Sequence, residues 1–196
     1  LEEARRNPTG MPDAEASAQA EEYLQKCIEN QDSAGGVVSC KVHGMPAGIG
    51  EPVFDKLDAC LGQAVMSIGA VKAFAVGDGC EVSKKNGSTN NDAFCNVNGQ
   101  ISKKTNHAGG ILGGISDGSD IILRAYFKPT PSIYQKQQTV NQAGEEIEIQ
   151  IKGRHDPIVV SRAVVVVEAM TAVTILDELL RNMTSRLDGI KKFYHK

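Results

Sequence analysis

The sequence lacks several features that would point to a function at once. No block of lysines and arginines interrupts its 196 residues, and 21 Lys+Arg against 24 Asp+Glu leave a net charge of −3. Nucleic-acid binding needs cations that neutralise successive phosphates, so nucleic acid is not an expected partner. No apolar run approaches the roughly 20 residues that cross a bilayer, so no membrane partner is expected either. The opening "LEEARRNPTG" also lacks the apolar core of a signal peptide. The chain is therefore expected to be soluble, unexported and cytoplasmic. Cysteine occurs five times, at Cys27, Cys40, Cys60, Cys80 and Cys95, with no CxxC pair and no Cys/His cluster. Such spacing argues for free thiols in a reducing compartment and against a disulfide framework or a metal site. Neither a GxGxxG behind a strand nor the P-loop GxxxxGK[ST] is present, so nucleotide binding by those two routes is not supported.

What is present is an ordinary globular composition, 41% hydrophobic, enough to bury the core of one domain or of a large part of one. The first residue is Leu1, not Met, in a polar, uncapped segment, which suggests an internal or C-terminal piece of a longer protein. Asp13 caps an Ala/Glu/Gln-rich pattern that predicts a helix over 13–31. The alternating "GGVVSCKVHG" predicts a strand over 35–44. Pro52 and the apolar spacing of Val53, Leu57, Leu61 and Val65 predict an amphipathic helix over 52–67. A short strand is expected at 71–79. Residues 80–106, rich in Asn, Ser, Gly and Lys, read as a long irregular loop. Strands follow at 120–129 and, half exposed, at 145–153, and a helix at 157–182. Without steady βαβ alternation, the expected class is α+β, with helices packed on a mainly antiparallel or mixed sheet.

Three stretches carry groups suited to chemistry. "NHAGGILGGISDG" holds five glycines at 109, 110, 113, 114 and 118, where backbone can approach a flat ring or a phosphate, or simply turn tightly and pack. In "KPTPSI", Lys128 stands beside Thr130 and Ser132, whose hydroxyls share one face if the chain is extended between Pro129 and Pro131. That arrangement suits an anion cradle, and equally a proline turn with a solvated lysine. "GRHDP" sets Arg154, His155 and Asp156 at the lip of an apolar run. Arg154 offers a planar fork for phosphate or carboxylate, and Asp156 a proton acceptor that also suits the N-cap of the helix begun by Pro157. His155 by itself reads as a packing or surface residue. The β-branched run after Pro157 needs tertiary burial or subunit contacts to stay helical, and Glu168 within it needs a partner if buried.

Taken in order, "PAGIGEPVFDKLDACLGQAVMSIGAVKAFAVGDG", "NHAGGILGGISDG", "FKPTPSI", "GRHDP" and "RAVVVVEAM" resemble the chorismate synthase family over nearly all of residues 35–182. The resemblance implies a β-α-β sandwich, homotetrameric assembly and a reaction. That reaction is the anti-1,4-elimination of phosphate from 5-enolpyruvylshikimate 3-phosphate to chorismate, in the shikimate pathway of aromatic amino-acid biosynthesis, with reduced FMN as cofactor. It further implies that the flavin lies against Gly69 and Ala70, Gly113, the run Lys128, Pro129, Thr130, Pro131 and Ser132, and Arg154, with Asn106 in the flavin-proximal block. Asp156 would sit near flavin N5 in the proton relay. Ile158, Gly69 and the valines of "RAVVVVEAM" depart from the residues usual in the family, without removing a charged group.

The family's catalytic histidines, its serine-arginine flavin motif and most substrate-binding arginines belong to an N-terminal half that these 196 residues lack, so 1–196 corresponds to the C-terminal portion of a single domain. His43 and His107 do not replace those histidines on motif grounds. The piece alone is expected to be inactive and to hold FMN weakly. Whether the source of reduced flavin is an intrinsic NADP-linked reductase is open. The competing expectations are a non-catalytic folding or oligomerisation module built on the apolar segment 157–182, and a flavin-independent binder of phosphorylated sugars.

Overall fold

The structure is a computed structural model that describes residues 2–153 and 156–194. Arg154 and His155, both singled out above, therefore lie outside the described residues. In chain order the elements are α1 (Glu2–Arg6), α2 (Ala14–Glu29), β1 (Gly36–Val42), α3 (Leu57–Met66), β2 (Val71–Val76), a 3-10 turn (Gly79–Lys84), α4 (Gly87–Asn90), β3 (Phe94–Val97), β4 (Gln100–Lys103), β5 (Ile111–Leu112), β6 (Ile115–Ser116), β7 (Ile121–Phe127), β8 (Gln137–Val140), β9 (Glu146–Ile149), α5 (Val160–Met183) and α6 (Leu187–Tyr194). They fall into two compact units, one of Leu1–Val37 with Tyr126–Val164 and one of Val38–Ala125 with Val165–Lys196.

In the first unit α2 forms where the sequence predicts it. Asp13 accepts from the Ala16 N–H at 2.7 Å, and Glu15 and Lys26 sit at the helix ends whose partial charges they complement. Its C-terminus closes in a Schellman arrangement, with Gln31 at φ 57° donating to the Ile28 carbonyl and Asp32 to that of Cys27. The predicted strand at 145–153 shortens to β9, which is exposed throughout. It pairs antiparallel with β8, Gln137 facing Ile149 and Val140 facing Glu146. The sequence hides β8, because "QQTV" has no apolar alternation. The hairpin is set instead by Asn141, whose side-chain oxygen accepts from the Ala143 and Glu145 N–H groups.

The second unit is organised on a three-stranded sheet of order β1-β7-β2. Burial alternates along β7, with Ile121, Leu123 and Ala125 fully enclosed. Leu57, Leu61 and Val65, four residues apart on one face of α3, are equally enclosed. Helix α3 lies on β2 so closely that a Cβ on Gly62 would stand 3.3 Å from the Phe74 ring. On α5 the inward face runs Val167, Thr171, Ile175 and Glu178. Glu168 is exposed; the buried carboxylate is Glu178, which accepts from Arg181 at 3.0 Å. Arg181 also reaches Asp55 at 2.6 Å, and Asn182 donates to the Gly48 carbonyl, so the end of α5 fastens the 48–55 segment. The pairs β3-β4, β5-β6 and β8-β9 are all antiparallel. Helices with antiparallel strands make the α+β class that the sequence predicts. No helix among the described residues is long and apolar enough to cross a membrane.

Three expectations need correction. The helix expected over 52–67 begins at Leu57: Phe54 takes a left-handed φ of 61° in a tight bend, and the first helical N–H, that of Leu57, donates to the Gly114 carbonyl. Pro52 therefore stands outside it, and Val53 is exposed. Residues 80–106 are not an irregular loop. They hold the rest of the 3-10 turn, α4 and the β3-β4 hairpin, ordered by local polar contacts that hydrophobic periodicity does not register. The helix expected from 157 begins at Val160, because Pro157 and Ile158 are engaged elsewhere: the Pro157 carbonyl accepts from the Ala34 N–H at 2.8 Å, and Ile158 forms a parallel bridge with Ala34. Asp156 is thus not the N-cap of that helix.

Leu61→Ala removes a side chain with no exposed surface and is expected to lower the unfolding free energy by about 2–5 kcal/mol. Urea denaturation checks this as a fall in midpoint at unchanged slope.

Candidate functional site

The first unit brings the proline–hydroxyl run and Asp156 under shared control of residues 33–36. The Ser33 hydroxyl donates to the Thr130 carbonyl at 2.7 Å, while the next residue, Ala34, holds Pro157. Gly35 has room for no Cβ: one would stand 2.6 Å from the Phe127 carbonyl oxygen and 3.2 Å from Pro129 Cδ. Gln137 Nε2 donates to the Pro131 carbonyl at 3.0 Å, fixing the far side of the run. A cleft of about 100 Å³ results, with Ser132, Tyr134, Asp156 and Pro157 among its walls. Ser132 and Asp156 thus line the same cleft. Thr130 does not line that cleft. Its hydroxyl is buried and has no hydrogen-bond partner among the described residues, a costly state for a polar atom unless a further group satisfies it. Lys128 is exposed. Asp156 accepts from Arg162 Nη2, in the first turn of α5.

In the second unit the glycine run divides by purpose. Gly77 and Gly109 press backbone against backbone, since a Cβ on Gly77 would stand 2.0 Å from the His107 carbonyl oxygen. Gly113 is different. It forms with Gly114 the two-residue turn of the β5-β6 hairpin, at φ 61° and 87°, and the position of its missing Cβ faces open space. Gly69 likewise faces open space, and beside it Ala70 is held at φ 69°, a left-handed conformation that non-glycine residues avoid at a cost of roughly 1–2 kcal/mol. Asn106 has both ends of its amide engaged: Nδ2 donates to the Asp120 carbonyl and Oδ1 accepts from the Gly110 N–H, each at 2.8 Å. It shapes the glycine run from within.

The same unit holds charged groups that motif reading did not select. Asp92 accepts from the His107 N–H, the Ala108 N–H and the Thr105 hydroxyl. Burial works to raise its pKa, but these hydrogen bonds prevail and hold it below the usual carboxylate range. Lys103 and Asp117 form a buried pair, their side chains 5% and 9% exposed, with the ammonium 5.6 Å from the centre of the Phe94 ring. Asp117 also stays below the usual range despite burial, through Lys103 and the Ser119 N–H. Asp78 is held low first by Lys85 and then by His107, whose Nδ1 lies 2.6 Å away. Asp120 is held low by Lys41 and His43. A polar cleft of about 500 Å³ runs past Lys103, Lys104, Asn106, Asp117 and Asp120. Several of these pairs join residues distant in sequence, such as Lys103 with Asp117, His107 with Asp78 and His43 with Asp120, so nothing local in the sequence announces them.

A family model described as chorismate synthase matches residues 1–180. The chain belongs to the chorismate synthase family. It is 62% identical over 191 residues to the chorismate synthase of Lachnoclostridium phytofermentans, covering 97% of this chain and 52% of that protein. It is 54% identical over 181 residues to that of Archaeoglobus fulgidus, covering 92% and 50%. A solved chorismate synthase crystal structure superposes with a TM-score of 0.76 at 27% identity, covering 97% of this chain and 51% of that one. The chain spans about half the length of the curated relatives it matches.

Asp92 and Asp117, held low against the opposing effect of burial, contribute a pH dependence. Their folded pKa values lie below the ordinary aspartate value of about 3.9, so the stability they confer is complete above that value and is lost as pH falls through the folded values. Thermal melts of the parent are expected to be flat above about pH 5 and to fall steeply below about pH 4. Asp92→Asn is expected to melt lower at neutral pH and to show a shallower acid fall.

Proposed function

We propose that the intact polypeptide bearing this chain catalyses the anti-1,4-elimination of phosphate and a proton from 5-enolpyruvylshikimate 3-phosphate to give chorismate, with reduced FMN as cofactor. The observation that carries this reading is the family match across residues 1–180, with every motif of the glycine, proline and aspartate blocks present. The residues suit a flavin on physical grounds. The buried Thr130 hydroxyl awaits a partner, and open faces at Gly69 and Gly113 admit a flat ring against bare backbone. Lys128, Thr130, Ser132 and Arg154 would hold its anionic and polar groups, and Gly69, Ala70 and Gly113 its ring. Pro129 and Pro131 would stiffen the run, and Asn106 would keep the glycine run in shape.

When bound, reduced flavin supplies electron density that favours departure of the phosphate. This chain's own part is electrostatic and protonic. The Lys128 ammonium and Arg154 guanidinium stabilise negative charge as it accumulates, and an Asp156 carboxylate oxygen accepts and passes on the proton. We assign the protein to the cytoplasm as a biosynthetic enzyme. Assembly into a homotetramer is supported by α5, whose outer face carries Val165, Val173, Leu176 and Leu180, each more than half exposed.

The reading is tested on the intact polypeptide under anaerobic conditions. Phosphate release is expected with reduced FMN and not with oxidised FMN, and residues 1–196 alone are expected to give none. Asp156→Ala is expected to lower kcat by about 10²–10⁴-fold without changing the sedimentation coefficient. Flavin-independent binding of the phosphorylated substrate with no turnover would favour the simple binder. An unchanged rate in Asp156→Ala, with loss of assembly on disrupting α5, would favour the oligomerisation module.

A further inference from the structure

We propose that Arg162 is a positioning residue for Asp156: it anchors one carboxylate oxygen and leaves the other to face the cleft that Ser132 and Tyr134 help to line. The proposal rests on the reading of Asp156 as the proton-handling group. Its own observations are geometric. The backbone around Asp156 is fixed from below, by the hydrogen bond from Ala34 to Pro157 and the bridge to Ile158, but the side chain remains 42% exposed. Arg162 supplies the restraint. Its Nη2 donates to Asp156 Oδ2, and among the described residues that is its single hydrogen-bond and ion-pair partner. Oδ1 of Asp156 accepts no hydrogen bond from any described residue, so one oxygen is tied and the other is available.

Helix stability does not explain an arginine here. Arg162 occupies the first turn of α5, where a cation meets the positive end of the helix dipole and is disfavoured. With its side chain 72% exposed, the ion pair is of the surface kind that contributes little to folding. What the guanidinium does offer is direction. It is a planar fork whose orientation restricts that of the carboxylate plane, which a flexible ammonium does less well. A proton-transfer group depends on such orientation more than on affinity.

The test uses the intact polypeptide. Arg162→Ala is expected to lower kcat by about 10- to 100-fold, the range typical of residues that orient a reactive ligand. The substrate KM and the Kd of oxidised FMN, read by fluorescence, are expected to change by less than about threefold. Arg162→Lys is expected to recover part of the loss, and added guanidinium ion, but not an equal concentration of sodium chloride, to restore activity to Arg162→Ala. The crystal structure of Arg162→Ala is expected to show the Asp156 carboxylate turned away from its cleft. In an Asp156→Ala background, Arg162→Ala should have no further effect. If Asp156→Ala is inactive while Arg162→Ala keeps kcat within about twofold of the parent, the positioning role is overturned and the reading of Asp156 stands. If Asp156→Ala itself keeps its rate, the reading falls and the inference falls with it. If Arg162→Ala fails to fold, rescue of Arg162→Lys by guanidinium decides: a gain in kcat supports positioning, and none overturns it.

Discussion

A single backbone hydrogen bond, from the Ala34 N–H to the Pro157 carbonyl, ties together the two ends of the first unit's chain that carry its motifs. It converts Pro157 and Ile158 from the start of a helix into a strand-like bridge, and so determines that α5 begins at Val160. The residue before Ala34 grips the Thr130 carbonyl, and the residue after it packs against Pro129. Two motifs that the sequence separates are thereby held by one short stretch of backbone. A side chain at Gly35 would push this stretch off the Phe127 carbonyl, and both motifs would move together.

In the second unit the corresponding constraint is close backbone approach at Gly77 and Gly109. It is reinforced by polar groups that act on the backbone rather than on one another. Asp92 receives two consecutive N–H groups and Asn106 clasps a carbonyl and an N–H. Such bonds satisfy groups that an irregular, partly buried loop would otherwise leave exposed to the cost of desolvation. They also explain how a stretch with few apolar side chains keeps Gly113 presented at the tip of a two-residue turn.

Much of this was legible in the sequence, and the reasons for the exceptions are specific. Helix α2 and strand β7 were readable because capping and alternation act locally, through Asp13 and through Ile121, Leu123 and Ala125. The start of α3 was misplaced because Val53 continues the apolar spacing while Phe54, at a left-handed φ, breaks the helix that spacing suggests. The β3-β4 hairpin and β8 were invisible because their register comes from backbone pairing and polar turns. Ser132 and Asp156, which the motif reading selects, line one cleft. The ion pair between Arg162 and Asp156 is made back across the start of α5, and a lone arginine beside an apolar run carries no signature of that.

The buried carboxylate of Glu178, on the inward face of α5, has a consequence for thiol chemistry. Burial and the nearby Glu178 carboxylate push the Cys60 thiol up to about 11, so at neutral pH it holds almost no thiolate, the form that reacts. Cys80 is exposed on the 3-10 turn, whereas Cys27 is buried. Maleimides and mild oxidants should therefore discriminate among chemically identical side chains, reaching Cys80 well before Cys27 or Cys60.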